Sequence, residues 1–188
     1  MMKQVYVMLA NGFEEIEALT VVDLLRRGDV KTSMVSVTDE EEVIGSHGIA
    51  VKADLCFSKM SEEEASMIVL PGGMPGTKHL REKQELIDML IRRYENKEWI
   101  AAICAAPGLI LGDLGMLEGR NATCYPAMAD YMKGANYQKE EQVVQDEFLI
   151  TACGMGAAIP FSLKILEVLK GKEVAKQVQE SILYEIKN

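Results

Sequence analysis

Histidine is nearly missing from this chain: His47 and His79 are the only two in 188 residues, and they stand in neither an HxxH nor an HExxH spacing. A histidine-built metal centre is therefore not expected. Cysteine is sparse as well. Cys56, Cys104, Cys124 and Cys153 form no CxxC pair, so neither a cysteine zinc site nor a dense disulfide framework fits, and free thiols in a reducing compartment are expected. No block of Lys or Arg occurs, and 29 acidic against 20 basic residues leave a net charge of −9. Such a surface argues against a nucleic-acid backbone or an anionic membrane as partner. Apolar runs are short: Val5 to Ala10 and Ile100 to Gly112 fall below signal-peptide or membrane-span length, and a cytoplasmic location is the expectation. A nucleotide loop is also lacking. The stretch Gly72-Gly73-Met74-Pro75-Gly76-Thr77-Lys78 does not meet the GxxxxGK[ST] spacing, and Gly154-Met155-Gly156-Ala157-Ala158-Ile159 misses the third glycine of GxGxxG. No cofactor and no metal are expected.

What the chain does have is a 48% hydrophobic composition, enough for one compact domain over residues 1–188. Near-continuous apolar runs alternate with helical patterns, which predicts an α/β fold with a mainly parallel sheet covered on both faces. Strands are expected at Val5–Ala10, Ser33–Val37, Met67–Leu70, Trp99–Ile103 and Ala122–Tyr125. Hairpins are expected where Val43-Ile44 and Ile49–Val51 flank Gly45-Ser46-His47-Gly48, and where Val143-Val144 and Phe148–Thr151 bracket Gln145-Asp146-Glu147. Helical faces are marked by Ile16, Leu19, Val22, Leu24 and Leu25 with Gly28 as the stop, by Leu86, Ile87, Leu90 and Ile91, and by Phe161 to Leu169; a last helix is expected over Val174–Ile186.

Ligands of an open parallel sheet bind beyond the carboxyl ends of its strands, which directs attention to the residues that follow each one. Cys104 ends the apolar run Trp99–Ile103 and is followed by Ala105-Ala106-Pro107-Gly108. Strand, cysteine, small residues and a proline-started helix make the pattern of a nucleophile elbow, whose helix start would favour a thiolate. A buried core cysteine closing a strand is the competing reading. After the first strand come Glu14, Glu15 and Glu17. Glu14 and Glu15 suit capping and solvation at a helix start. Glu17, between Ile16 and Ala18, would be poorly hydrated and protonated if it faced inward, and able to donate to a thiolate; otherwise it is a surface helix acid. Gly72-Gly73 is either a strand-ending turn or a source of backbone amides for an oxyanion together with that of Ala105.

Taken together, Leu9-Ala10-Asn11-Gly12-Phe13-Glu14-Glu15-Ile16-Glu17, Val69-Leu70-Pro71-Gly72-Gly73 and Ala101-Ala102-Ile103-Cys104-Ala105-Ala106-Pro107 resemble the ThiJ/PfpI superfamily, in particular the branch of the parkinsonism-associated protein deglycase. The resemblance continues through Thr151-Ala152-Cys153-Gly154-Met155-Gly156 into Gly171-Lys172-Glu173-Val174-Ala175. It implies a flavodoxin-like three-layer sandwich, an elbow cysteine at Cys104, an interacting protonated glutamate at Glu17, backbone amides of Gly73 and Ala105 facing the sulfur, and a homodimer formed through the first helix around Asp23 and Arg27. One residue departs from the pattern. Many superfamily members carry a histidine before the proline that here is Pro126, and this chain has Tyr125, a hydrogen-bond donor that could help hold substrate.

The resemblance implies cofactor-independent chemistry on 2-oxoaldehydes: methylglyoxal to lactate, or removal of early protein and nucleotide adducts. The alternatives are a redox sensor or stress-protective holdase working through oxidation of Cys104, and an amidohydrolase or protease of the same superfamily, which the missing histidine disfavours. Cys124 and Cys153 are read either as small buried hydrophobes or as resolving partners of an oxidised Cys104.

Overall fold

A computed structural model describes residues 3–185. In chain order its elements are β1 (Gln4–Leu9), α1 (Glu15–Arg27), β2 (Thr32–Ser36), β3 (Glu42–Ile44), β4 (Ala50–Lys52), β5 (Leu55–Cys56), β6 (Ala65–Leu70), α2 (Gly76–Glu82), α3 (Gln84–Glu95), β7 (Ile100–Ile103), β8 (Asn121–Ala122), β9 (Asn136–Tyr137), β10 (Val143–Asp146), β11 (Leu149–Ala152), α4 (Ala158–Lys170) and α5 (Lys172–Ser181). Seven strands form one sheet in the order β10-β11-β7-β6-β1-β2-β5, parallel except for the hairpin strand β10. This is the mainly parallel, helix-flanked α/β fold that the apolar rhythm predicts, with the flavodoxin-like layering that the family resemblance implies.

Every residue of β1 is buried, because alternate side chains feed opposite layers. Val5, Val7 and Leu9 join the core that packs under α1 and α4, while Tyr6, Met8 and Ala10 join the core under α3 and the segment Pro107–Gly112. At about 1.5–3 kcal/mol for each fully buried large aliphatic side chain, two such cores clamp the central strands and fix the positions of their carboxyl ends. α1 starts where the Glu14 carboxylate accepts the Glu17 amide at 2.7 Å and buries Ala18, Val21, Val22, Leu24 and Leu25.

Several expectations are corrected. The segment Ala122–Tyr125 contributes no strand to the main sheet: only Asn121–Ala122 is extended, pairing with β9 in a separate two-stranded ladder. Its continuation is diverted because the Thr123 amide donates to the Thr151 hydroxyl at 3.0 Å and Pro126 follows without an amide proton. The expected hairpin β3–β4 forms, with Val43 opposite Val51, but stands apart from the main sheet. α2 and the edge strand β5 have no counterpart in the sequence reading. The last helix ends at Ser181, and Ile186, its expected end, lies outside the described residues. No helix among the described residues is long and apolar enough to cross a membrane.

Candidate active site

The site lies beyond the carboxyl ends of β1, β6 and β7, three adjacent strands of the sheet. At the end of β7 the chain turns so sharply that Cys104 takes φ +65°, a left-handed conformation that costs a non-glycine residue about 1–2 kcal/mol. Backbone bonds on both sides hold it there. The Cys104 amide donates to the Ala152 carbonyl at 2.9 Å, and the Cys104 carbonyl accepts from the Tyr125 amide at 2.8 Å. This is the elbow read from the sequence, with one difference. After Ala105 and Ala106 the helix widens into a π-helix over Pro107–Gly112, where Gly108 and Gly112 let it lie against the backbone carbonyls of Met128 and Tyr131; any Cβ at either glycine would collide with them.

Glu17 sits two residues inside α1 and is 1% exposed. Its Oε2 accepts from the Gly72 amide at 2.8 Å, and the Cys104 thiol interacts with the same carboxyl. Glu17 Oε1 is buried and makes no hydrogen bond to any other group among the described residues. Burial lifts the Glu17 carboxyl from 4.5 to about 7; the Cys104 and Gly72 hydrogen bonds pull against that lift, and repulsion from Glu14 adds to it. The Cys104 thiol is also pushed up, first by burial, then by the charge of Glu17 and the hydrogen bond to it, against the opposing pull of the Ala105 and Gly73 amides. The expectation that a helix start would leave Cys104 a ready thiolate is thereby corrected. Burial beside an acid outweighs the amide dipoles, so the thiol keeps its proton beyond the pH at which Glu17 gives up its own.

Gly72 has no space for a side chain, since a Cβ there would lie 2.7 Å from both the Cys104 Cβ and Glu17 Oε2. Gly73 takes φ +94° and packs against the backbone of Phe13 and Glu14. The structure thus brings Cys104, Glu17, Gly73 and Ala105 together. Tyr125 reaches the rim: its amide bonds to Cys104, its ring lies beside Gly154, and its side chain is 49% exposed.

Both histidines are engaged elsewhere. His79 Nδ1 pairs with the Asn11 carbonyl at 2.8 Å. His47 caps a contact the sequence reading missed: Glu15, expected to be solvated, is 3% exposed and accepts from the His47 amide at 2.7 Å, His47 Nδ1 at 2.9 Å and the Ser46 hydroxyl at 3.2 Å. Burial alone would raise the Glu15 carboxyl, but these bonds and the charge of His47 hold it at about 2. Its partner His47 is raised in turn by the Glu15 hydrogen bond and charge. The signal for this pairing lay in Gly45, whose missing side chain leaves the space that the Glu15 carboxylate fills. Among the described residues, Glu14, Glu15 and His47 are the one group bringing three metal-ligating atoms within 4.8 Å of one another. Farther along α1, Asp23 and Arg27 form an exposed ion pair at 2.7 Å, on the face expected to dimerise.

A family model, the DJ-1/PfpI family, matches residues 3–168. The chain belongs to the DJ-1/PfpI family. Its relatives include Protein DJ-1 homolog B of Arabidopsis thaliana, 36% identical over 176 residues; the match takes in 94% of this chain but only 40% of that protein, so the chain spans less than half the length of this relative. A second is the glutathione-independent glyoxalase DJR-1.2 of Caenorhabditis elegans, 31% identical over 161 residues, covering 85% of this chain and 84% of that one. Among solved structures, oxidised DJ-1 of Toxoplasma gondii superposes with a TM-score of 0.92 at 38% identity, over 98% of this chain and all of that one. DJ-1/PfpI membership bears out the resemblance read from the Glu17, Gly72-Gly73 and Cys104 segments.

Proposed function

We propose that this protein is a cofactor-independent enzyme for 2-oxoaldehydes, converting methylglyoxal to lactate or clearing the early adducts such aldehydes leave on proteins and nucleotides. The observation that carries the reading is the buried Glu17 carboxyl, raised to about 7 and fixed by Gly72, against a strained cysteine faced by the amides of Gly73 and Ala105. A relative named as a glutathione-independent glyoxalase supports the same chemistry.

In this reading the Cys104 sulfur attacks the aldehyde carbon, and its proton passes through Glu17. The new C–S bond leaves an oxyanion that the Gly73 and Ala105 amides hold. Glu17 delivers the thiol proton to that oxygen and, once more a carboxylate, removes the hydrogen from the same carbon and returns it to the neighbouring carbon, so the former aldehyde becomes a thioester and the ketone becomes an alcohol. A carboxyl near 7 suits both halves of the transfer, because it accepts and releases a proton at neutral pH. Water cleaves the thioester, freeing lactate and Cys104. Tyr125, half-exposed at the rim, would hold the substrate's second oxygen, and a homodimer through α1 near Asp23 and Arg27 belongs to the same proposal.

The test is lactate formation from methylglyoxal by the purified chain, followed with no added thiol or metal. Turnover that disappears in Cys104→Ala supports the reading. Equal turnover in that variant, or stoichiometric oxidation of Cys104 with no turnover in the parent, overturns it in favour of redox sensing.

A further inference from the structure

Three of the four cysteines converge on the carboxyl edge of the sheet. Cys104 and Cys153 directly follow Ile103 and Ala152, which are aligned partners on the adjacent parallel strands β7 and β11. The Cys104 backbone is bonded on one side to the residue before Cys153 and on the other to the residue after Cys124. Neighbouring strands run about 4.8 Å apart, inside the roughly 4.4–6.8 Å Cα separation that a disulfide spans. Cys104 and Cys153 also share a face: both pack against the core under α1 and α4, whereas Cys124 belongs to the core on the opposite side. Cys124 is fully sealed, and its thiol is turned to the Tyr125 carbonyl at 3.3 Å. Cys153, like Cys104, is only partly buried. The Glu17 charge raises both of these thiols, and the charge of Cys153 raises that of Cys124 as well.

We propose that Cys153 is the resolving thiol of Cys104, capturing it as an intramolecular disulfide when a peroxide has oxidised it and sparing it from irreversible oxidation. The proposal rests on Cys104 being the reactive thiol of the preceding reading. In the first step the Cys104 sulfur attacks hydrogen peroxide; an S–O bond forms, the O–O bond breaks, and the departing oxygen takes a proton to leave as water. In the second the Cys153 sulfur attacks the Cys104 sulfenic acid; the S–S bond forms, the S–O bond breaks, and the oxygen leaves as water with the Cys153 proton. Two thiols lose two electrons and one peroxide gains them. A dithiol restores both residues by exchange. Without Cys153, a second peroxide converts the sulfenic acid to a sulfinic acid that thiols do not reduce.

The experiment treats the full chain with a small excess of hydrogen peroxide, blocks remaining thiols, and maps the peptides by mass spectrometry with and without dithiothreitol. The wild type should lose two hydrogens, yield a linked Cys104–Cys153 peptide pair, and recover its iodoacetamide-reactive Cys104 on reduction. Cys153→Ser and, as a second packing-neutral check, Cys153→Ala should instead accumulate two oxygens on Cys104 that dithiothreitol does not remove. Equal oxygen uptake at Cys104 in wild type and both variants, or a link to Cys124, overturns the resolving role. If methylglyoxal turnover persists in that case, the enzymatic reading survives; a Cys104 inert to both peroxide and iodoacetamide, with no turnover, sinks both.

Discussion

Replacing Glu17 by Gln keeps the side chain's size and its acceptor for the Gly72 amide while deleting the titration, which makes stability against pH a direct reading of the buried acid. In the folded chain the Glu17 carboxyl is raised from 4.5 to about 7, so the native state holds a proton that the unfolded chain releases. A group raised in this way contributes its full stability below the unfolded value and loses it as pH climbs to the folded one. Between pH 4.5 and 7 the wild type should therefore lose about 3 kcal/mol from this group, at about 1.4 kcal/mol for each pH unit. Cys104, also raised, adds nothing to this window because it is protonated in both states throughout. Urea unfolding of wild type and Glu17→Gln at pH 4.5 and pH 8 measures the effect as a difference of differences, which cancels contributions from other groups. The variant should gain on the wild type by about 3 kcal/mol on going from the acid to the basic condition. A stability gap that stays level across that range would refute the claim that Glu17 is a desolvated acid holding its proton.

The same substitution should lower methylglyoxal turnover about 100-fold or more, the typical contribution of a positioned acid-base group, with lactate release as the assay. It should also shift the pH profile of iodoacetamide labelling at Cys104 to lower pH, because the carboxylate that pushes the thiol up is gone. Cys104→Gly should be more stable than Cys104→Ala by about 1 kcal/mol, since glycine accepts φ +65° without strain; thermal unfolding compares the two. Glu15→Gln should weaken the chain above pH 4.5 while changing little near pH 2, because a carboxylate held at about 2 gives stability above its unfolded value and loses it as pH falls; acid titration followed by circular dichroism tests the sign.

The central strands were readable because burial on both sheet faces leaves unbroken apolar runs; Cys104 ahead of Ala-Ala-Pro-Gly was legible as a strand end, with the choice between an elbow and a core cysteine resting on the family resemblance. Ile16 and Ala18 left Glu17 open between an inward-facing acid and a surface one, and the family resemblance decided for the first. What escaped the sequence depends on contacts between distant segments. The Glu15–His47 bond joins residues 32 apart, and the diversion of residues 123–125 from the sheet follows from a hydroxyl 28 residues away. The protonation of Cys104 misled for a related reason: the helix start is local and visible, whereas its burial against Glu17 is set by the packing of α1 on the sheet.

The loops around the reacting pair are stitched to one another through main-chain atoms. Glu14 N bonds to Gly72 O, Gly76 N to Gly12 O, and Gly12 N to Ile44 O. Main-chain seams of this kind survive most exchanges of side chain, so the acid, the sulfur and the two amides form a chassis that is indifferent to what projects around it. The outward-facing side chains on these segments, Ile16 beside Glu17, Ile44 at the Gly12 seam, Met74 beside Gly73 and Tyr125 on the Cys104 carbonyl, are then free to vary while the reacting atoms stay in place.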